Sequence, residues 1–323
     1  MSRPNGAGSS KSATFLTMGQ DLVELNVGEN GTPFMVHKDL LCSQSEYFRR
    51  AFNGRFQESE DGFTHVTDVS ENTFKIFQQW LYGQVARGAT SVKTSFERLM
   101  VTDNPMRNGK DKNEAGNNGN AGHSYSVDSD DDNDDADGEQ DEQVEEKSEA
   151  DKRYHELIDC FLDLFIFADR YETRQLRNDI ISAMRNYNSE IGYFPTLECV
   201  PKAFEHLPAT STFCQYLIRT YAWNWNPATD GKDEIDNVYP LLPHAFTLNV
   251  MLINCRRANS FKKKKYDDML VAELIDLCNF HEHEDEAARN DCKASKEHDK
   301  VFLRNLLVSC MPVVEMPQDK PNT

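Results

Sequence analysis

The stretch that decides the fold runs Phe34-Met35-Val36-His37-Lys38-Asp39-Leu40-Leu41-Cys42-Ser43-Gln44-Ser45-Glu46-Tyr47-Phe48. Its opening, Phe34-Met35-Val36, reads as a short strand. Ser45 stands where a helix N-cap belongs, because its hydroxyl can accept a free amide of the first turn. The helix it opens carries Tyr47, Phe48, Ala51 and Phe52. Just upstream, Val23, Leu25 and Val27 alternate with Glu24 and Asn26, the period-2 pattern of a strand with one buried face. Gly28-Glu29-Asn30-Gly31 joins the two strands with residues that accept turn geometry, so the pair reads as a hairpin.

Working outward, Thr64 to Val69 offers another short strand. Ser70 then caps a helix with Phe74, Phe77, Trp80 and Leu81 on one broad face. From Gly83 to Lys152 the pattern dissolves into Ser, Asn, Gly and Asp. Such a segment buries too little apolar surface to offset its ordering entropy, so residues 103–150 at least are expected to be disordered. Periodicity returns at Tyr154. Leu157, Phe161, Leu164, Phe165 and Ala168 share one helical face. Thr173 caps a second helix with Leu176, Ile180, Ala183, Met184 and Tyr187 at similar spacing.

The remainder, Pro195 to Met311, is expected to be mostly helical. Phe213, Tyr216, Leu217, Thr220 and Tyr221 form one stripe, Phe246, Val250 and Ile253 another, and Leu270, Leu274, Leu277 and Cys278 a third. Prolines from Pro195 to Pro243 punctuate these helices.

Charge is concentrated in one place. The chain has 323 residues and a formal net charge of -19, and by length about two domains are expected. Asp128 to Asp151 holds 14 acidic residues against one base, Lys147, leaving about -6 elsewhere. An acidic chain is a poor ligand for phosphate backbones, so no nucleic-acid partner is expected. The first 20 residues lack the apolar stretch of a signal peptide, and no uncharged run approaches the length of a membrane span. With eight scattered cysteines, the reading is of reduced thiols in an intracellular chain, cytoplasmic or nuclear, with no membrane partner.

The order of these elements is where a resemblance emerges. Asp21 to Gly28 looks like the opening strand of a BTB/POZ domain, and Phe34 to Phe48 resembles its signature, a strand ending in His-Lys followed by Ser and Phe at set spacing. Phe52 to Ser59, Val66 to Val69 and Phe74 to Tyr82 continue the match. Leu164-Phe165-Ile166-Phe167-Ala168-Asp169-Arg170-Tyr171, with Leu176, matches the family's closing helix pair. The wider layout is similar to fungal BTB proteins. The resemblance implies an α+β fold, a small sheet covered by paired helices, over residues 20–187. It implies an interruption by the acidic insertion at 84–152, between a tail at 1–19 and a helical region at 195–311 with a tail at 312–323. Lengthening the family's short turn about tenfold costs roughly 2 kcal/mol of closure entropy, which a folded domain tolerates.

The same resemblance implies function. The family binds other proteins, often itself, has no catalytic site, and in many members recruits the Cullin-3 ubiquitin-ligase scaffold. Phe56-Gln57-Glu58 matches the hydrophobic-x-Glu triplet of Cullin-3 binders, with Phe56 as anchor and Glu58 beside it; the plainer reading makes Phe56 a core cap. Asp21 and Lys38 resemble the charged pair of the family's dimer groove, or form an ion pair that orders the hairpin. A homodimer is implied too, although before Asp21 only Phe15, Leu16 and Met18 stand among small polar residues.

Three further constellations stand outside the resemblance. Cys278, His281, His283 and Cys292 form a C-x2-H-x-H-x8-C set of soft ligands. Two histidines two residues apart cannot share a helical face, so the chain would have to leave the helix near Phe280. A plain helix end with solvated histidines is the expectation, with no metal and no cofactor. Lys262 to Lys265, near Arg256 and Arg257, reads as a nuclear-import signal, a solvated face or a dock for the acidic insertion. Trp223 and Trp225 read as core packing. The resulting expectation is a non-enzymatic protein-interaction module, an adaptor for Cullin-3. The alternative is a chromatin- or transcription-associated scaffold whose acidic segment contacts basic partners.

Overall fold

The computed structural model describes residues 19–101, 149–262, 276–295 and 299–311, with the main chain alone over 88–101 and 260–262 and at Thr229 and Ser295. It opens with β1 (Leu22–Val27), β2 (Thr32–His37), α1 (Lys38–Gln44), α2 (Glu46–Asn53), α3 (Gln57–Asp61), β3 (Phe63–Val66) and α4 (Glu71–Val101). The strands form one sheet in the order β2-β1-β3, with β1 antiparallel to β2 and parallel to β3. Alternation does what it should: Val23, Leu25 and Val27 point to one face with Val36 and Val66, and all five are buried. Between β1 and β2, Gly28 and Gly31 take positive φ, 74° and 63°, where a side chain would strain the turn.

The signature residues earn their places through contacts. His37 ends β2 and its Nδ1 meets the Tyr82 hydroxyl of α4 at 2.8 Å. Ser45 caps α2 by accepting from the Phe48 amide at 3.1 Å, and its own hydroxyl donates to the Tyr171 carbonyl at 2.5 Å. Ser70 caps α4 in the same way, accepting from the Thr73 amide at 3.0 Å.

Helices α5 (Glu149–Arg170) and α6 (Arg174–Ile191) complete this core, although they lie far along the chain. Phe167 packs its ring on Phe77 at 4.6 Å, and Tyr171 stacks on Phe48 at 5.2 Å. Phe48, Phe74, Phe77 and Phe161 are fully buried, each worth about 1.5–3 kcal/mol of transfer free energy. The expected cap at Thr173 takes another form, because its hydroxyl donates to the Tyr171 carbonyl at 3.3 Å instead of accepting an amide of α6.

The insertion is narrower than 84–152. Helix α4 does not stop at Gly83 but runs to Val101, with Val85 fully buried, and α5 already begins at Glu149. Gly83 reads as a breaker because glycine costs about 1 kcal/mol in a helix. Here its bareness admits a neighbour: a Cβ at 83 would lie 2.8 Å from the Phe302 ring. Residues 102–148, which hold most of the acidic run, lie outside the described residues, as do 1–18 and 312–323.

The C-terminal region is helical, with α7 (Cys199–His206), α8 (Thr212–Asn224), α9 (His244–Lys262), α10 (Glu286–Ser295) and α11 (Lys300–Cys310). The α8 stripe of Phe213, Tyr216, Leu217, Thr220 and Tyr221 is buried throughout, as are Phe246 and Val250 of α9. Trp225 packs edge-on against Tyr221 at 5.8 Å and donates its indole N–H to Asp230 at 2.7 Å. The third stripe is described only at its end. Leu270 and Leu274 lie outside the described residues, and Leu277 and Cys278 sit in a single 3-10 turn, Leu277–Asn279.

This region shares one continuous core with the sheet and its helices. The joint is a charged one. Arg87 of α4 donates to Asp179 of α6 at 2.8 Å and, through its other edge, to Asp299 at 2.6 Å, and its guanidinium lies 4.8 Å over the Phe302 ring. Asp179 is 2% exposed and also accepts from the Trp80 indole and the Gln175 amide, both at 2.9 Å. Burial pushes the Asp179 carboxyl above its ordinary value, against the pull of Arg87, Trp80 and Gln175. Burial alone would lower Arg87, but the two carboxylates outweigh it and hold the guanidinium above its ordinary value.

Candidate interaction site

The likeness to a hydrophobic-x-Glu triplet directs attention to the link between α2 and α3. Helix α2 buries Phe48, Ala51 and Phe52 and ends at Gly54. Gly54 is required for steric reasons: a Cβ there would come 2.3 Å from the Arg50 carbonyl oxygen and 2.9 Å from the Phe56 ring. The chain can therefore fold Phe56 back beside the end of α2. Helix α3 then starts at Gln57 with Phe56 as its N-cap residue in an extended conformation.

Hydrogen bonds hold this tip in place. The Ser59 hydroxyl donates to the Phe52 carbonyl at 2.9 Å, and the Ser59 amide to the Phe56 carbonyl at 3.1 Å. Gly62 closes α3 in the left-handed region and accepts from the Glu24 amide of β1 at 3.0 Å. The tip is thus tied at one end to α2 and at the other to the sheet. Phe56 is 59% exposed on it, and Glu58 lies half-buried one residue beyond Gln57. The reading of Phe56 as a core cap does not hold.

Asp21 and Lys38 are joined through the main chain, the Lys38 amide donating to the Asp21 carbonyl at 2.9 Å. Among the described residues their side chains form no ion pair with each other, so the hairpin is ordered by backbone rather than by charge. The sequence reading missed a row across the open face of the sheet. Glu24 pairs in register with Met35 on one side and Phe63 on the other, and those two are 49% and 39% exposed. The signal was the other half of the strand alternation, which was read only for its buried face.

The second set, Cys278, His281, His283 and Cys292, is brought together. One ligand atom from each lies within 4.8 Å of every other. Cys278 is 1% exposed, the His281 Nε2 meets the Ser182 hydroxyl at 2.8 Å, and the His283 Nε2 is closed to solvent and has no hydrogen-bond partner. Burial, with Arg289 and Arg174 nearby, holds the His283 imidazole below its usual range. The expected helix end with solvated histidines is not what forms. Of the basic cluster, Lys263, Lys264 and Lys265 lie outside the described residues, whereas Arg257 is committed 3.9 Å over the Trp223 ring and to the Ala222 carbonyl.

The family model for the BTB/POZ domain matches residues 22–98. The chain contains a BTB/POZ domain. The match spans β1 through most of α4, and α5 and α6 close the same core beyond it. No curated protein and no solved structure matches the chain. A BTB/POZ domain is a protein-interaction module without catalytic function, and this chain carries one such module joined to a helical region. Among the described residues, no single helix is long and apolar enough to cross a membrane.

Proposed function

We propose that the chain is an adaptor that engages the Cullin-3 ubiquitin-ligase scaffold through Phe56, with Glu58 at the rim of the contact. The observation that carries this reading is the exposed Phe56 ring on a tip whose backbone is tied down on both sides. A large apolar side chain held rigidly in water loses little entropy on docking, so most of its transfer free energy is available to a partner. Its place in a Phe-x-Glu triplet after α2 fits the resemblance already described.

Truncating a central aromatic anchor costs about 2 kcal/mol or more, roughly thirtyfold in affinity. The experiment is calorimetric titration of the full chain and of Phe56→Ala with the purified N-terminal segment of Cullin-3, with melting curves alongside. Wild-type binding that weakens at least thirtyfold in Phe56→Ala, with an unchanged melting curve, supports the adaptor reading. No binding by the wild type rejects it.

A further inference from the structure

Three observations at the C-terminal turn require an explanation that the BTB domain does not give. Two thiols and two imidazoles converge, one imidazole nitrogen is buried without a partner, and the segment that carries three of them is fastened to α6 by polar bonds from Arg177, Asn178 and Ser182. We infer that Cys278, His281, His283 and Cys292 bind one structural zinc ion.

Geometry comes first. Zinc holds sulfur at about 2.3 Å and imidazole nitrogen at about 2.0 Å, so a tetrahedron places its two sulfurs about 3.8 Å apart and a sulfur and nitrogen about 3.6 Å apart. The Cys278 and Cys292 sulfurs are 3.9 Å apart, and the His281 Nδ1 is 3.2 Å from the Cys292 sulfur. A disulfide would need about 2.05 Å, so the two cysteines are spaced for a shared ion and not for a bond to each other. Two thiolates with two imidazoles in a closed set of four is the donor chemistry of structural zinc. Most iron–sulfur clusters would ask for more thiolates, and a hard cation for oxygen.

The surroundings fit the same ion. The Ser182 hydroxyl takes the Nε2 of His281 at 2.8 Å, which leaves its Nδ1 lone pair toward the sulfurs, the outer-sphere arrangement that orients a metal-bound histidine. The His283 Nε2 is closed to solvent with nothing to meet, an unfavourable state that a ligand would relieve. The peptide between the ligands is pinned from both sides. Asp276 accepts from the Cys278 amide at 3.0 Å, and Arg289 of α10 donates to Asn279 at 2.8 Å. Glu282 exchanges main-chain bonds with the Asn178 side chain at 2.9 and 3.2 Å, and its carboxylate accepts from Nε and Nη2 of Arg177, one edge of that guanidinium, at 2.6 and 2.5 Å. The ion would therefore join α10 to the turn, and the turn to α6, the helix that closes the BTB core. Binding exchanges the two thiol protons for the metal, so two protons are released and the completed site is neutral.

The test uses the full chain. Elemental analysis after purification, and after chelation and reconstitution with zinc chloride, is expected to give about one zinc per chain. Cobalt substitution is expected to give the intense visible absorption of a tetrahedral site with thiolate ligands. Cys278→Ser and Cys292→Ser should each remove the metal, while Cys255→Ser, at an exposed cysteine outside the set, should keep it. Because either ligand variant could simply unfold, X-ray absorption on the wild type provides an independent reading, with two sulfur and two nitrogen neighbours expected. A folded wild type that takes up no zinc on reconstitution overturns the inference. So does bound zinc with any other ligand set.

Discussion

Phe56 and Cys278 each stand at a single short helical turn, α3 in one case and Leu277–Asn279 in the other, and each turn is fixed by bonds to a neighbouring helix. One faces out and the other faces in. Phe56 is 59% exposed, while Cys278 is 1% exposed and surrounded by His281, His283 and Cys292. The same local device, a rigid turn, thus serves opposite ends. In the proposed reading, the turn that presents an apolar ring to water meets a partner, and the turn that gathers thiols and imidazoles around the buried Cys278 makes an internal joint. Exposure, more than residue type, separates the two roles.

The comparison breaks if perturbing the inside leaves the fold intact, and the joint at Arg87 is the strongest lever. Arg87→Met leaves the buried Asp179 carboxylate without its main partner, a loss of about 3–5 kcal/mol. Thermal unfolding should show the melting temperature falling by on the order of 10 °C. A fall of about a degree would mean that α11 is merely laid against α4.

Ser182→Ala sharpens the contrast in a different way. It removes the bond that orients His281 and should weaken zinc binding about 10–100-fold, measured by competition with a chelator. Cullin-3 binding by the same variant should be unchanged, and a parallel loss of both would tie the two turns together.

Gly54→Ala tests the outward turn without deleting its ring. The added methyl meets the Arg50 carbonyl and must shift the tip, at a cost of about 1–2 kcal/mol. Binding should weaken although Phe56 is still present. If denaturant unfolding and affinity are both unaffected, the tip is less constrained than its hydrogen bonds imply. The smallest effect belongs to Glu58→Ala. A rim charge acts mainly on association, so a few-fold lower on-rate that fades with added salt is expected in stopped-flow mixing.

Much of the BTB part was legible because its signals are local. Ser45 and Ser70 announced their helices, and the alternation from Val23 to Val27 announced the buried sheet face. Phe56 could be picked out from a three-residue pattern, but its exposure could not. That depends on Gly54 allowing the chain to turn back. Gly83 misled because its role lies in contact with Phe302, far away in the chain. At the Cys-His set, the two-residue spacing of His281 and His283 showed that they cannot share a helical face, and they follow a 3-10 turn that ends at Asn279. The return of Cys292 was not visible, because it rests on Arg289 reaching back to Asp276 and Asn279. Of the third stripe, Leu277 and Cys278 are placed by that same packing, in a 3-10 turn and not by helical period.

The claim that the Phe56 turn is the outward-facing binding surface is tested most directly by hydrogen exchange on the full chain, with and without the Cullin-3 N-terminal segment. The expected result is new protection concentrated in residues 54–66, from Gly54 through α3 and β3, with the 277–283 turn and α11 unchanged. Protection that leaves residues 54–66 untouched, or that appears only on the C-terminal helices, would contradict the account.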